Sequence, residues 1–307
     1  MRSTVRDLLR GGSEVGKKSL FDPWVVPLAT SLMHESYPWM IPHTAQGHSP
    51  LQKEKEWFEN WFDSPAYHLL YQNRDFDEAR RFLDQLEQHL GFRPDDEILD
   101  VACGKGRFSV YLNQKGYRVT GVDISPNSIR EASRAANKRL RFLLGDMRDL
   151  RLGRSYDVVL NMFTSFGYFA SQSENERAIC SMAACLKEGG VLVLDFLNTV
   201  RVLRQLPARE TVLRDGIRFD IYKHLQNGFI LKEIDFLWEG RQHHVQERVK
   251  ALEQRDFERL FSACGLEVVF LAGNYLLEPY SAEAERMIFF ARKRKETAKR
   301  GPSEPAR

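Results

Sequence analysis

The sequence predicts an α/β fold, a doubly wound sheet with an antiparallel β insertion toward its carboxyl end. Between residues 97 and 198, short apolar strands alternate with helical segments, which is the order of parallel strand–helix–strand units. Between residues 210 and 252 this alternation stops, and the dipeptides Asp215-Gly216, Asn227-Gly228 and Glu239-Gly240 separate further strands. Such dipeptides are typical of tight turns between antiparallel strands. We therefore expect a helix-covered sheet and a second, antiparallel group of strands.

The first core strand leads directly into a glycine turn. Residues 97–106 read EILDVACGKG, in which a short apolar run ends at Gly104 and Gly106. Because glycine has no Cβ, the chain can turn sharply there and a ligand can approach the backbone, while the next helix presents free N–H groups. Such a turn suits a nucleotide-like cofactor with a carboxylate or phosphate. A dinucleotide fingerprint would need a third glycine where Ser109 stands, so that template fails.

The stretch 100–106 instead resembles motif I of the class I S-adenosylmethionine-dependent methyltransferases, an acidic residue followed by a glycine turn. The resemblance covers roughly Trp57 to Arg292, more than three quarters of the chain. It implies the Rossmann-like seven-stranded sheet of that family, with its last strand antiparallel, and S-adenosyl-L-methionine as the cofactor. The cofactor-binding residues that it implies in this turn are Asp100, Ala102, Gly104 and Gly106.

The second strand ends in an acid that suits the same ligand. Asp123 lies 19 positions after Gly104, and a carboxylate there can accept hydrogen bonds from both ribose hydroxyls of an adenosine. The resemblance adds its neighbour Ile124 to the cofactor site. Enzymes that bind NAD place an acid similarly, and a plainer interpretation makes Asp123 a cap before Ser125.

The third and fourth strands also end in polar residues. Asp146 follows the strand that begins at Leu140, and Asn161 ends the strand that begins at Tyr156. The resemblance assigns Asp146 to the adenine amino group, lets Met147 pack on the ring, and includes Asn161 in the site. Four strands that each end in a plausible ligand residue, in this order, favour cofactor binding over four separate helix caps.

Two helices precede the core. The first carries Trp57, Phe58, Trp61 and Phe62 at helical spacing, an aromatic face that either packs against the domain core or forms a substrate lid.

Tyr67, Tyr71 and Arg74 follow at i, i+4 and i+7 along one helical face. This segment resembles the amino-terminal helix of small-molecule methyltransferases, in which a tyrosine and an arginine reach over the cofactor. The resemblance thus implies that Tyr71 and Arg74 bind the cofactor, with Arg74 paired to its methionine carboxylate. The alternative is a surface arginine paired with Asp75 or Asp77.

The remaining elements complete the predicted order. Predicted helices cover residues 76–90, 107–115, 125–137, 173–187 and 253–264. Predicted strands cover residues 118–123, 140–146, 156–162, 191–198, 266–272 and 286–292, and those of the insertion cover residues 212–213, 217–225, 229–238 and 245–252. We expect the insertion to stand at the cofactor edge of the sheet. The methyltransferase domain is predicted at residues 51–292, between a loosely ordered extension (1–50) and a disordered basic tail (293–307).

Charge and cysteine content narrow the class of protein. The formal net charge is +3, but residues 292–307 carry seven basic and two acidic side chains, which leaves about −2 for the rest. The absence of a broad basic surface argues against a nucleic-acid partner. Cys103, Cys180, Cys185 and Cys264 form no C-x-x-C pair, so we expect reduced thiols in a cytoplasmic protein and no metal site.

Nothing in the sequence suggests a membrane protein. No apolar run reaches 18 residues, and the first residues lack the continuous hydrophobic segment of a secretory signal. We therefore expect no membrane partner.

The family resemblance implies methyl transfer to a nucleophile. The residues after the fourth strand indicate which class of methyl acceptor to expect. Enzymes that methylate nucleobase amines carry Asp/Asn-Pro-Pro-Tyr after the fourth strand, whereas residues 161–164 read NMFT here. The run at 146–153 resembles sugar N-methyltransferases and glycine N-methyltransferases, which favours transfer to nitrogen or oxygen of a small polar molecule. The alternatives are an RNA or protein methyltransferase guided by the basic tail, or a non-catalytic S-adenosylmethionine-binding module.

A general base is needed if the acceptor is protonated. The candidates are two tyrosines that could border the methyl site and three histidines in the insertion, namely Tyr67, Tyr168, His224, His243 and His244.

Overall fold

The computed structural model of the protein describes residues 56–72 and 76–295. The predictions made for residues 1–50, for Arg74 and for the end of the basic tail lie outside this range, and the domain limits at residues 51 and 292 stay predictions. Within the described residues, the chain forms a seven-stranded sheet and a separate four-stranded sheet. No helix of these residues is long and apolar enough to cross a membrane.

The strands, in chain order, are β1 (Glu97–Val101), β2 (Arg118–Asp123), β3 (Leu140–Leu144), β4 (Tyr156–Asn161), β5 (Leu186–Leu197), β6 (Ala208–Arg214), β7 (Ile217–Gln226), β8 (Phe229–Trp238), β9 (Arg241–Lys250), β10 (Leu266–Ala272) and β11 (Arg286–Lys293). The helices are α1 (Trp57–Phe62), α2 (Pro65–Leu70), α3 (Phe76–Leu90), α4 (Arg107–Gln114), α5 (Pro126–Ala132), α6 (Gln172–Ala184), α7 (Thr199–Arg204) and α8 (Gln254–Ala263).

The large sheet confirms the predicted fold class. Its strand order is β10-β11-β5-β4-β1-β2-β3. Strands β1 to β5 run parallel to one another, whereas β11 is antiparallel to both of its neighbours. This is the Rossmann-like arrangement with an antiparallel last strand.

Alternation along the central strands builds two cores. Ile98 packs into a cluster with Phe82 and Leu112 from the helices on one face, and Leu99 packs into a cluster with Met182 and Phe257 from the helices on the other. Successive side chains of a strand point to opposite faces, so a strand covered on both sides is apolar at every position. Each such buried side chain stabilises the fold by about 1.5–3 kcal/mol.

Parallel pairing brings the strand ends together. In register, Val101 of β1 lies beside Val122 of β2 and beside Asn161 of β4, and Asp123 lies beside Leu144 of β3. The loops that follow these four strands therefore emerge at one edge of the sheet, which is where ligands bind in such folds.

The insertion is the four-stranded antiparallel sheet β6-β7-β8-β9. Both residues of each predicted hairpin dipeptide have positive φ, from 44° at Asp215 to 80° at Gly216, which is the geometry of a type I′ turn. One face of this sheet packs against α1 and α2 through Trp61, Leu70 and Phe236. The end of β9 is also bonded to the loop after β4, since the Lys250 amide donates to the Gly167 carbonyl at 2.8 Å. The insertion thus stands beside the carboxyl edge of the large sheet.

Element boundaries differ from the predictions at several places. The fifth strand starts at Leu186 and runs through the glycine pair expected to turn the chain, because a side chain at Gly190 would meet the Asp157 carbonyl at 3.0 Å and glycine permits this close strand approach. Helix α5 ends at Ala132, five residues early, and continues as one 3₁₀ turn. Helix α2 ends at Leu70, so Tyr71 is its C-cap and does not continue a longer helix.

The prediction that all four cysteines are reduced is wrong. Cys180 and Cys264 form a disulfide with a Cα–Cα distance of 4.8 Å, while Cys103 and Cys185 are free. The two bonded residues lie 84 positions apart and meet only because α6 and α8 pack side by side. A local spacing rule cannot detect such a pair.

We expect the double variant C180A/C264A to lose about 2–4 kcal/mol of unfolding free energy, because the bridge closes a loop of 84 residues and restricts the unfolded chain. Urea unfolding with and without a reductant measures this. The parent should become less stable in the reductant, and the double variant should not respond. An equal midpoint for parent and variant in both buffers would contradict the expected stabilisation.

Candidate active site

Three residues of the turn after β1 have positive φ. Ala102, Gly104 and Gly106 have φ of 61°, 55° and 80°, a region that disfavours any residue with a Cβ. A side chain at Gly104 would meet no atom within 4 Å, whereas one at Gly106 would lie 2.6 Å from the ring of Phe142. Gly106 is therefore required by the packing beneath the turn, and Gly104 faces open space where a ligand can reach the backbone.

Asp123 joins this turn to the next loop. Its Oδ2 accepts the Gly104 amide at 2.8 Å, and its Oδ1 accepts the Ser125 amide at 2.8 Å. Burial raises the pKa of the Asp123 carboxyl. The cap-like bond to the Ser125 amide and the ligand-binding interpretation are compatible, because each carboxylate oxygen has a second lone pair.

Asp100 lies beneath the turn. It is 2 % exposed, and its Oδ2 accepts the hydroxyl of Ser109 at 2.6 Å. Burial raises the pKa of Asp100 to about 6, and the nearby charge of Asp123 acts in the same direction.

Asn161 ties the ends of β1 and β4 together. Its Nδ2 donates to the Val101 carbonyl at 3.1 Å, and the residue is fully buried. Its Oδ1 is buried and has no hydrogen-bond partner in the described part of the chain. A buried acceptor without a partner is unfavourable, so this atom is suited to receive a hydrogen bond from a ligand.

A cleft of about 390 Å³ opens between the ends of β2 and β3. Its lining residues are Glu59, Ile124, Pro126, Leu144, Gly145 and Asp146. Apolar walls with a few polar groups are typical of ligand pockets, and this combination fits an adenine ring whose amino group donates to a carboxylate. The fold therefore brings the predicted Ile124 and Asp146 together, while Met147 is half-buried and packs against the core beneath.

Asp146 is held by an arginine that the sequence analysis did not single out. Arg148 donates from Nε at 2.9 Å and from Nη2 at 2.6 Å to Asp146 Oδ2. The same guanidinium binds Glu174 at 2.8 Å and Glu56 at 2.5 Å. The Arg148 side chain is 6 % exposed, which makes these bonds stronger than surface ion pairs. Of these ion pairs, only the one between Asp146 and Arg148 could have been expected from the sequence, because the two residues lie two positions apart. Glu56 and Glu174 lie 92 and 26 positions from Arg148.

Helix α1 is bonded at both ends to loops of the large sheet, one after β3 and one after β2. Glu56, its N-cap, binds Arg148 after β3, and Asp63, its C-cap, accepts the Ser125 hydroxyl at 2.5 Å and the Asn127 amide at 2.9 Å after β2. Between them, Glu59 lines the cleft. The aromatic face of α1 packs on the core through Phe58 and Trp61, as one of the two interpretations expected. The alternative of a substrate lid stays a prediction.

The three tyrosines lie close to α1. Tyr71 donates from its hydroxyl to both carboxylate oxygens of Glu247 at 2.8 Å, at the contact of α2 with the insertion. The Tyr67 ring lies 4.8 Å from that of Tyr71 and 5.0 Å from that of Phe62. Tyr168 packs against Phe62 at 5.1 Å. The fold thus gathers Tyr67 and Tyr168 around the same phenylalanine.

The histidines lie elsewhere on the insertion. Strand register places His224 and His244 on the face opposite to the one that packs against α1 and α2. His244 binds Asp235 at 2.9 Å and Glu233 at 3.1 Å, and its bond to Asp235 raises its pKa. His243 is exposed and stacks on Phe236 at 5.2 Å. The fold does not bring His224 or His244 to the cleft.

Comparison with known proteins finds methyltransferases. A family model described as "Methyltransferase domain" matches residues 98–190. The chain is 30% identical over 223 residues to a dTDP-3-amino-3,4,6-trideoxy-alpha-D-glucopyranose N,N-dimethyltransferase of Streptomyces venezuelae, covering 68% of this chain and 92% of that protein. It is 31% identical over 155 residues to a glycine/sarcosine N-methyltransferase of Parasynechococcus marenigrum (strain WH8102), covering 49% of this chain and 54% of that protein.

The fold has a counterpart among solved structures. A crystal structure of an S-adenosylmethionine-dependent methyltransferase from Clostridium acetobutylicum ATCC 824 superposes with a TM-score of 0.65 at 19% identity, covering 74% of this chain and 96% of that one. The glycine turn, the strand-end carboxylates and the relatives of known activity all lead to one family. This chain belongs to the class I S-adenosylmethionine-dependent methyltransferases.

Proposed function

We propose that the protein transfers a methyl group from S-adenosylmethionine to a nitrogen atom of a small polar molecule, with oxygen as the other acceptor atom to be tested. The observation that supports the proposal most is the cleft at the ends of β2 and β3, whose residue Ile124 follows Asp123, the carboxylate bonded to the glycine turn. The choice of nitrogen is supported by two relatives whose names describe N-methylation, of an amino sugar nucleotide and of glycine or sarcosine.

Several residues are suited to hold the cofactor. The open space at Gly104 allows its approach to the backbone, and the remaining lone pairs of Asp123 can accept from the ribose hydroxyls. Asp146 and Glu59, at the cleft, can accept from the adenine amino group. The unpartnered Oδ1 of Asn161 can accept from the ammonium group of the methionine part.

The chemistry asks this chain for alignment more than for proton transfer. When bound, S-adenosylmethionine supplies a methyl group on a positively charged sulfur, and the C–S bond breaks as the acceptor lone pair forms the new bond. Positioning the reactants can lower such a barrier by several kcal/mol. A general base is needed only where the acceptor arrives protonated. Tyr67 and Tyr168, which lie close to α1, stay the candidates for this general base. The Tyr168 hydroxyl already donates to the Thr164 carbonyl.

A cytoplasmic location also stays a proposal. The described residues hold no helix that could span a membrane. The cysteines no longer support a reducing compartment, because a disulfide such as Cys180–Cys264 persists mainly in oxidising surroundings.

We expect D123N to bind S-adenosylmethionine about 10- to 100-fold more weakly than the parent, since a hydrogen bond to a charged group contributes about 1.5–3 kcal/mol. Isothermal titration calorimetry measures this directly. D149N is the matched control, because Asp149 is an exposed partner of Arg151 outside the cleft, and its affinity should equal that of the parent. If D123N bound the cofactor as tightly as D149N, the assignment of Asp123 to the ribose would be wrong.

Cofactor affinity should depend on the protonation of Asp100. Burial raises the pKa of this carboxyl to about 6, and the positive charges of the cofactor favour its ionised form. We therefore expect affinity to rise as the pH increases from about 5 to about 7 and then to level off, with release of a proton on binding at the lower pH. Calorimetry in two buffers of different ionisation enthalpy detects that proton. In D100N the rise should be smaller, and an unchanged pH profile would contradict the role of Asp100.

The acceptor class is tested by a turnover screen. We expect S-adenosylhomocysteine to form with amino sugar nucleotides or small amino acids, and each hit to be paired with its hydroxyl analogue to separate nitrogen from oxygen. Short RNAs and peptides are included, together with a variant lacking residues 293–307. Methylation of RNA or peptide alone, lost with the tail, would overturn the proposal. Binding of the cofactor with no turnover on any acceptor would support a binding module instead.

A further inference from the structure

The loop after β4 has an unusual backbone. Phe163 and Thr164 follow one another with φ of 58° and 56°. Residues with a Cβ rarely adopt this left-handed region, and for a β-branched residue such as threonine it is a clear outlier. Strained backbone of this kind persists only where the surrounding structure holds it, and it is concentrated at functional sites.

The group that holds the loop is the carboxylate of Asp195 on β5, which is fully buried. Its Oδ2 accepts the Phe163 amide at 2.8 Å, and its backbone carbonyl accepts the Thr164 amide at 3.0 Å. Oδ2 also accepts the Tyr275 hydroxyl at 2.7 Å, and Oδ1 accepts Nε of Arg286 at 2.7 Å. The buried charge is thus matched by one cation and two further donors.

Thr164 is bonded through all of its polar groups. Besides the amide, its hydroxyl oxygen accepts Nη2 of Arg286 at 2.9 Å, and its carbonyl accepts the hydroxyl of Tyr168. Arg286 therefore binds both the strained residue and the carboxylate that holds it. Such a shared, nearly complete set of bonds fixes one conformation of the loop.

The antiparallel last strand explains how Arg286 reaches this place. Because β11 runs opposite to β5, its first residue lies at the carboxyl edge of the sheet, where Arg286 pairs with Leu197. Tyr275 arrives from the connection between β10 and β11. The closing hairpin thus delivers one cation and one hydroxyl to the ligand edge of an otherwise parallel sheet.

The loop touches the cofactor turn. The ring of Phe163 lies 4.6 Å from the guanidinium carbon of Arg107 and 5.2 Å from the ring of Phe108. Both residues begin α4, directly after Gly106. Asn161, two residues before Phe163, is bonded to the end of β1. The strained loop consequently forms a wall next to the glycine turn, on the side of β4 away from the adenosine cleft.

We propose that Asp195, Tyr275 and Arg286 are positioning residues that hold Phe163 and Thr164 as a rigid wall of the methyl-acceptor site. The inference deepens the proposed function and rests on it. A buried ion pair is weak as a source of stability compared with apolar packing, so stability alone does not explain why a charged network is kept around a strained loop. A wall fixed beside the turn limits where an acceptor can approach, which in-line transfer requires.

The test uses Y275F and R286M, with R286K as the conservative variant. Y117F and R204M are the matched controls, because the Tyr117 hydroxyl binds Glu87 and Arg204 is an exposed partner of Glu283, both outside the loop. Hydrogen exchange of the Phe163 and Thr164 amides reports whether the loop is held. We expect about tenfold faster exchange in Y275F and R286M than in either control, with R286K in between.

Turnover on an acceptor from the screen then tests positioning. We expect kcat to fall about tenfold or more in R286M, with the dissociation constant of S-adenosylmethionine within about twofold of the parent, and R286K to recover part of kcat. Faster exchange with unchanged kcat would mean that the network is structural only and would overturn the proposal. Unchanged hydrogen exchange would overturn the proposal even if no acceptor were found. A parent protein that binds the cofactor but methylates nothing would contradict the proposed function. The exchange result would then decide by itself whether the network holds the loop.

Discussion

The candidate cofactor site depends on the hydrogen bonds made by one carboxylate, that of Asp123. This carboxylate links the Gly104 amide in the turn after β1 to the Ser125 amide in the loop after β2, so these two segments, to which we assign the cofactor, are set relative to each other before any ligand binds. Burial of this carboxylate, with Asp100 beneath it and Asp63 nearby, concentrates negative charge at the turn. Such an environment favours a positively charged ligand at the turn, because an opposite charge nearby stabilises the ionised carboxylates.

Around the Asp123 carboxylate, polar bonds between residues distant in sequence connect the loops at the carboxyl edge of the sheet. Asp63 and Arg148 attach α1 to the loops after β2 and β3, and Asp195 with Arg286 holds the loop after β4. These groups use the strand ends of one rigid sheet as their anchor. The apolar packing of the sheet therefore provides stability, and the polar bonds at its edge provide the geometry of the site.

The sequence predicted the elements well because their signals are local. Strand β2, helix α3 and strand β10 match their predicted limits, and all three hairpin dipeptides adopt the expected turns. The pairs that complete the site could not be predicted in this way. Glu56 and Arg148 lie 92 positions apart, and Asp195 and Arg286 lie 91 apart, so only the folded sheet brings them together. The Cys180–Cys264 disulfide was missed for the same reason.

We propose that the turn after β1, together with the cleft at the ends of β2 and β3, binds S-adenosylmethionine. Calorimetric titration of the purified protein with S-adenosylmethionine, S-adenosylhomocysteine and NAD tests it most directly. We expect dissociation constants of about micromolar order for the first two ligands, corresponding to about −8 kcal/mol, and no heat of binding for NAD. Binding of NAD, or of none of the three, would contradict the assignment of the turn and of the carboxylates around it.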